Sequence, residues 1–265
     1  MKKVICVSAT PVLNTPNFSS IFGGKTGSKL KTDKKGHIKA LEFVALKNTV
    51  FEITKTYKKK DHYIYEVKKT LIYSKKPLFI DSRFTKTYKN QKFLTPIPVL
   101  KPEKILKTLH NLEGSFYVWG GNFSKGIPSL LSYYPPKENI ENHQKLTWMM
   151  KGVDCSGLLF EATNGYTPRN TSDLLSFGKP VFIENKSIEE IVKTLRPLDL
   201  IVYQGHVLIV LSSTFIIESR EKKGVIKTPL LKRLKEIYRK KEPINNLKKA
   251  ANPKKAFVIR RWISL

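Results

Sequence analysis

Short runs in which apolar and polar residues alternate fill the chain between residues 41 and 84: Thr49-Val-Phe-Glu-Ile-Thr, Tyr63-Ile-Tyr-Glu-Val and Pro77-Leu-Phe-Ile-Asp-Ser-Arg-Phe, with Lys-rich turns between them. A period of two marks strands with one buried and one wet face, and such strands in succession predict a small β-barrel. Pro96, Pro98 and Pro102 then remove backbone donors and hold their predecessors extended, which places a domain boundary near residue 100. The period changes there. Ile105, Leu106, Leu109 and Leu112 recur at helical spacing, Pro102 suits a first helical turn, and Gly114 supplies a stop. Residues 122–152, with Pro128, Pro135, Pro136 and the pair Tyr133-Tyr134, keep no clear period and read as a surface insertion. From Leu198 onward strands return, in Leu198-Asp-Leu-Ile-Val-Tyr, His206-Val-Leu-Ile-Val-Leu, Thr214-Phe-Ile-Ile-Glu-Ser and Ala256-Phe-Val-Ile-Arg-Arg-Trp-Ile. Successive strands with helices mostly ahead of them predict an α+β domain on an antiparallel sheet over residues 101–265, after a β-rich domain and linker over residues 1–100.

A length of 265 residues is enough for two modest cores, and an apolar content of 40 % supports folding over disorder. Lys interrupts every apolar run well short of the roughly 20 residues that cross a bilayer, so no integral membrane segment is expected. Met1-Lys-Lys-Val-Ile-Cys-Val begins like an export signal, but its apolar stretch, Val4 to Val7, falls short of the roughly 7–15 residues of a signal core. A cytoplasmic placement is expected, with export left open. The formal charge of +28 would suit an anionic partner, yet the Lys pairs are spread along the whole chain and Lys far outnumbers Arg. That pattern fits general surface composition, and no nucleic-acid partner is expected. A helix after Thr228-Pro229, with Leu230, Leu231, Leu234, Ile237 and Tyr238 on one face and Lys/Arg on the other, fits a cover for the sheet with its basic face in water.

Cys6 and Cys155 are the two cysteines, so disulfides do not define this fold and chemistry is the better use for one of them. Asp154-Cys155-Ser156-Gly157 opens an apolar, helix-like segment closed by Asn164-Gly165. Cys155 therefore starts a helix, where free N–H groups and the macrodipole favour a thiolate, although an ordinary buried thiol would look the same. His206 opens the most apolar strand directly after Gln204-Gly205 and is the candidate base. His37, His62, His110 and His143 stand in Lys-rich or polar surroundings and read as surface residues. Glu218 is the candidate to orient His206: an odd-numbered turn around Ser212-Ser213 puts both on one face of adjacent strands, and an even one separates them. The alternative for Glu218 is a surface carboxylate that balances Arg220.

In order along the chain, Tyr117-Val-Trp-Gly-Gly, Gly152-Val-Asp-Cys-Ser-Gly, Pro168-Arg169, Thr171-Ser172, Leu195-Arg-Pro-Leu-Asp-Leu-Ile and Gly205-His-Val resemble the NlpC family of cell-wall cysteine peptidases over roughly residues 103 to 265. The resemblance implies a papain-like catalytic domain with Cys155 as nucleophile, His206 as base and, twelve positions later, Glu218 where His, Asn or Gln is usual. Leu198 stands where Gly is usual. Within the family the chain looks most like YkfC-like enzymes, which implies an N-terminal SH3-like domain and cleavage of γ-D-glutamyl-diaminopimelate (or Lys) bonds in peptides with a free N-terminal L-Ala. Tyr117, Asp154 and Ser156 match positions that hold this amine end, and Glu42 is a candidate for a further acid there. Trp119 is expected in the core. No cofactor or metal is implied, and a monomer acting on peptidoglycan-derived peptides is expected. The competing readings are a noncatalytic wall-binding module, a basic nucleic-acid binder and the lecithin retinol acyltransferase relatives; in the last the base precedes the nucleophile, the reverse of the order here.

Overall fold

The computed structural model describes residues 2–24, 26–68, 76–89 and 100–263. The expected linker prolines Pro96 and Pro98 lie outside the described residues. Two compact units make up the chain: Met1–Pro96 with Val118–Gly152, and Ile97–Tyr117 with Val153–Leu265. Helices α1 (Phe18–Ile21), α2 (Pro102–Asn111), α3 (Ser129–Tyr133), α4 (Asn142–Trp148), α5 (Cys155–Ala162), α6 (Thr171–Leu174), α7 (Ile188–Thr194) and α8 (Leu230–Tyr238) are distributed between the units.

In the first unit, strands β1 (Lys3–Cys6), β2 (Thr10–Leu13), β3 (Leu41–Ala45), β4 (Val50–Lys58), β5 (Tyr63–Lys68), β6 (Leu78–Asp81) and β7 (Thr85–Thr87) form an antiparallel sheet in the order β3-β2-β6-β5-β4-β1-β7. Its two end strands, β3 and β7, are not paired with each other, so among the described residues the sheet does not close into the expected barrel. Alternation explains the burial. Val4, Cys6, Phe51, Val67 and Ile80 fill one apolar cluster, while Leu13, Val44, Ile64 and Phe79 fill another on the pleat's opposite face.

That second cluster is completed by Ile127, Leu130, Tyr134, Trp148 and Met150, so the stretch expected as a surface insertion is part of a core. Burial there is anchored by polar groups. Asp81, fully buried, accepts from Tyr134 Oη at 2.6 Å and from Arg83 Nη2 at 2.6 Å, and Trp148 Nε1 donates to the Tyr134 carbonyl at 2.9 Å. Gly120 has φ 75°, and a Cβ there would meet the Leu41 carbonyl oxygen at 2.7 Å, which explains one glycine of the Tyr117-Val-Trp-Gly-Gly run. Two aromatic expectations change. His37 is buried and stacks on Trp119 with ring centroids 4.7 Å apart, while Trp119 itself is 43 % exposed and carries Lys39 Nζ 4.0 Å from its ring.

The short strands β8 (Asn122–Phe123) and β9 (Gly152–Val153) precede the main sheet of the second unit. There β10 (Lys179–Val181), β11 (Leu200–Tyr203), β12 (His206–Val210), β13 (Phe215–Arg220), β14 (Gly224–Pro229) and β16 (Ala256–Arg261) run antiparallel in the order β10-β16-β11-β12-β13-β14, with β15 (Glu242–Pro243) parallel beside β16. Strands β11 and β12 are apolar on both faces because both faces are covered. Ile105, Leu109, Leu158 and Leu159 of α2 and α5 pack on Val202, Val207 and Ile209, and Ile191, Leu230, Leu234 and Ile237 of α7 and α8 pack on Ile201 and Leu208. The basic α8 thus covers the sheet. Leu231, grouped with its apolar face by spacing, is instead 42 % exposed. Leu198 adopts φ 67° with its side chain fully buried, a left-handed conformation that costs a branched residue roughly 1–2 kcal/mol and that glycine would adopt freely. No helix among the described residues is long and apolar enough to cross a membrane.

Candidate thiol site

Helix α5 begins at Cys155 because Asp154 caps it: the Asp154 backbone is extended, and its carboxylate accepts the Gly157 N–H at 2.7 Å. The helix stops where Asn164 (φ 51°) and Gly165 (φ 83°) turn left-handed. Cys155, on the first turn, lies close to two oxygens, Thr171 Oγ1 at 3.7 Å and the Gly205 carbonyl at 3.9 Å. Gly205 sits in the two-residue link between β11 and β12 with φ 85°, a value that such tight hairpins demand, and the pairing Tyr203↔His206 fixes the next residue at the hairpin's edge. One hairpin therefore delivers both a carbonyl and an imidazole to the sulfur.

His206 lies near enough to Cys155 for the sulfur's charge to act on its ring, and its Nε2 meets Glu218 Oε2 at 2.7 Å. With Nε2 engaged by the carboxylate, Nδ1 is the nitrogen left for the thiol. The register Val210↔Ile216 leaves residues 211–215, an odd number, between β12 and β13, so His206 and Glu218 share a face. Glu218 is fully buried, which removes the surface-carboxylate alternative. Arg233 of α8 completes its shell, with Nε 2.7 Å from Oε1 and Nη2 3.1 Å from Oε2.

These contacts set the charges. Burial alone would lower the His206 pKa, but its hydrogen bonds and charge interactions with Cys155 and Glu218 outweigh burial and raise it from 6.5 to about 9. Burial alone would raise the Glu218 pKa, and hydrogen bonds from His206 and Arg233 hold it below its ordinary 4.5. A raised histidine contributes stability that is fully present below 6.5 and is lost as pH climbs through about 9. A depressed carboxylate contributes stability above 4.5 and loses it as pH falls through its folded value. The pair should therefore be tightest between about pH 4.5 and 6.5. A thermal-melting series should show wild type losing stability from pH 6 to 9.5 relative to His206→Ala; parallel curves for the two proteins would count against it.

Beside the sulfur lies a second polar cluster. Arg169 grips Asp154 through Nη1 at 3.0 Å and Nη2 at 2.8 Å, and the same Nη1 donates to Ser156 Oγ at 3.0 Å. Ser156 Oγ in turn donates to Asp154 Oδ1 at 3.2 Å. Burial raises the Tyr117 phenol pKa, and the charges of Asp154 and Cys155 raise it further, so the phenol stays protonated and remains a donor. Tyr117, Asp154, Cys155, Ser156, His206 and Glu218 thus all belong to the second unit. Glu42 belongs to the first, where it accepts from Asn14 Nδ2 at 2.6 Å and Lys76 Nζ at 3.0 Å. Sequence reasoning gave no role to Arg169 or Arg233. Arg169 was visible inside a motif, while Arg233 was hidden among the lysines of an amphipathic helix. No group of three metal-ligating side chains occurs among the described residues.

No family model and no curated protein matches the chain. Among solved structures it is similar to an NlpC/P60 family protein from Bacillus cereus, at 14 % identity and a TM-score of 0.38 over 99 % of this chain, and spans 64 % of that protein's length. It is also similar to RipD from Mycobacterium tuberculosis, a non-catalytic NlpC/p60 domain protein described as adapted to peptidoglycan binding, at 18 % identity and a TM-score of 0.32 over 48 % of this chain and 86 % of that one. Likenesses this distant carry no argument about chemistry, which rests on the geometry of the site itself.

Proposed function

We propose that the protein is an NlpC-type cysteine peptidase that hydrolyses the γ-D-glutamyl-diaminopimelate (or Lys) amide of peptidoglycan stem peptides with a free N-terminal L-Ala. The observation that carries the reading is the order Cys155, His206, Glu218: a thiol at a helix start, an imidazole within reach of its charge, and a buried carboxylate on a ring nitrogen. In this reading the second unit is papain-like and the open sheet of the first unit is an SH3-like module. The Cys155 thiolate attacks the γ-carbonyl, N–H groups at the start of α5 meet the oxyanion, and the His206 imidazolium gives its proton to the departing amine. Water then cleaves the thioester as His206 takes a proton back. Tyr117, Asp154 and Ser156 receive the substrate's ammonium end. The ordered motifs of the sequence support the same assignment, and free-amine selectivity would suit peptides released from the wall.

Mass spectrometry of products tests this directly. L-Ala-γ-D-Glu-diaminopimelate or its Lys counterpart should yield L-Ala-γ-D-Glu and the free diamino acid, while stems whose L-Ala is linked to sugar should survive. Cleavage of sugar-linked stems at equal rate would move the substrate to intact wall. No cleavage of any of these peptides would overturn the peptidase and leave a binding role.

A further inference from the structure

We infer that Arg233 is a positioning residue for this thiol site, supplying the counter-charge that allows a buried carboxylate, Glu218, to stand behind His206. The inference rests on the proposed roles of Cys155 and His206. Glu218 is fully buried, and its two oxygens divide their partners: Oε2 takes His206 Nε2 at 2.7 Å and Arg233 Nη2 at 3.1 Å, and Oε1 takes Arg233 Nε at 2.7 Å. A two-point grip of this kind fixes the carboxylate plane as well as its charge. The groups that face the cluster are Cys155 from α5, Tyr203 from β11, His206 from β12 and Arg233 with Glu236 from α8, while β14 sets the apolar Ile226 opposite Glu218.

Charge arithmetic explains why the arginine matters for the sulfur. In the reactive state the site holds a thiolate, an imidazolium, a carboxylate and a guanidinium, which sum to zero. Removing the guanidinium leaves a net negative charge where water is largely excluded, and the cheapest relief is to protonate the thiolate. Glu236 also bonds Arg233, with Nη1 to Oε2 at 2.8 Å, but it is 43 % exposed and water answers its charge. Neutralising Glu218 together with Arg233 restores the balance. An arginine that merely fastened α8 to the sheet would behave otherwise, because a second substitution would then add damage.

The test uses the full chain and needs no substrate: the rate of Cys155 alkylation by iodoacetamide, read by peptide mapping to separate it from Cys6, is followed from pH 4 to 9. Wild type should be alkylated readily at pH 6. A wild-type profile like that of a free thiol would sink the thiol-site reading itself, whatever the variants do. Arg233→Met should slow alkylation at pH 6 by about tenfold or more. Adding Glu218→Gln should recover part of the loss, raising the rate at least about threefold above that of Arg233→Met. An Arg233→Met rate within about twofold of wild type, or a double variant as slow as the single, would overturn the inference. Should Arg233→Met fail to fold, the double variant decides: folded and alkylated at pH 6 supports the charge coupling, and unfolded or unreactive at pH 6 refutes it.

Discussion

Cys155→Ala should lower the proposed stem-peptide hydrolysis by about four orders of magnitude or more, with folding and peptide binding close to wild type. The substitution removes the sulfur that would form the thioester, while Asp154 still caps α5 and the His206–Glu218 contact keeps both its partners. What remains is catalysis by orientation and by the helix-start N–H groups alone, which in comparable hydrolases leaves a small residue of the full rate. Packing should tolerate the change: Ala keeps the Cβ within the apolar cluster, and the sulfur's contacts to the Thr171 hydroxyl and the Gly205 carbonyl are long. Cys6 provides the control, being buried in the first unit and outside the site, so Cys6→Ala should keep its turnover. Single-turnover product analysis, paired with calorimetric titration of an uncut peptide, separates the effects. A Cys155→Ala protein that retains a tenth of wild-type turnover would end the nucleophile assignment.

Much of this arrangement could be read along the chain because it is written in local pattern. The helix start at Cys155 follows from a capping Asp before an apolar run, and the β12 strand from five apolar-rich positions after a Gly-containing link. The relation of His206 to Glu218 hinged on turn parity, which sequence leaves open and the Val210↔Ile216 register decides. What sequence concealed is tertiary. Residues 122–152 lack a period because each turn of that chain meets a different part of a core, so Trp148 and Leu130 are buried without announcing it. Closure of the first sheet depends on how its end strands meet, and period-two alternation is silent on that point. The arginines offer a signal that composition does contain. In a chain dominated by Lys, Arg83, Arg169, Arg233 and Arg261 each grip a carboxylate of low exposure, on Asp81, Asp154, Glu218 and Asp199 respectively. Surface lysines need only solvate, whereas a buried carboxylate is better answered by a planar fork of donors.

Arg169→Met should destabilise the protein by about 3–5 kcal/mol, the usual cost of leaving half of a buried ion pair behind. Both partners have low exposure, 5 % for the Arg169 side chain and 14 % for Asp154, so solvent screens little of the loss. For a chain of this size that corresponds to a fall in melting temperature of roughly 6–20 °C, visible by calorimetry. Asp154→Asn placed on top of Arg169→Met should recover part of the loss by removing the stranded charge, although the amide is a poorer cap for Gly157 N–H. A fall below about 1 kcal/mol would mean that the pair is weak and that Asp154 is held mainly by its place in the chain. The same variant questions the substrate. If Asp154 receives the peptide's ammonium, an amine-bearing stem peptide supplies the missing positive charge, and added peptide should stabilise Arg169→Met more than wild type. An N-acetylated peptide, lacking that charge, should not. Equal stabilisation by both peptides would leave Asp154 as a helix cap and ion-pair partner and move the amine-binding role to other groups.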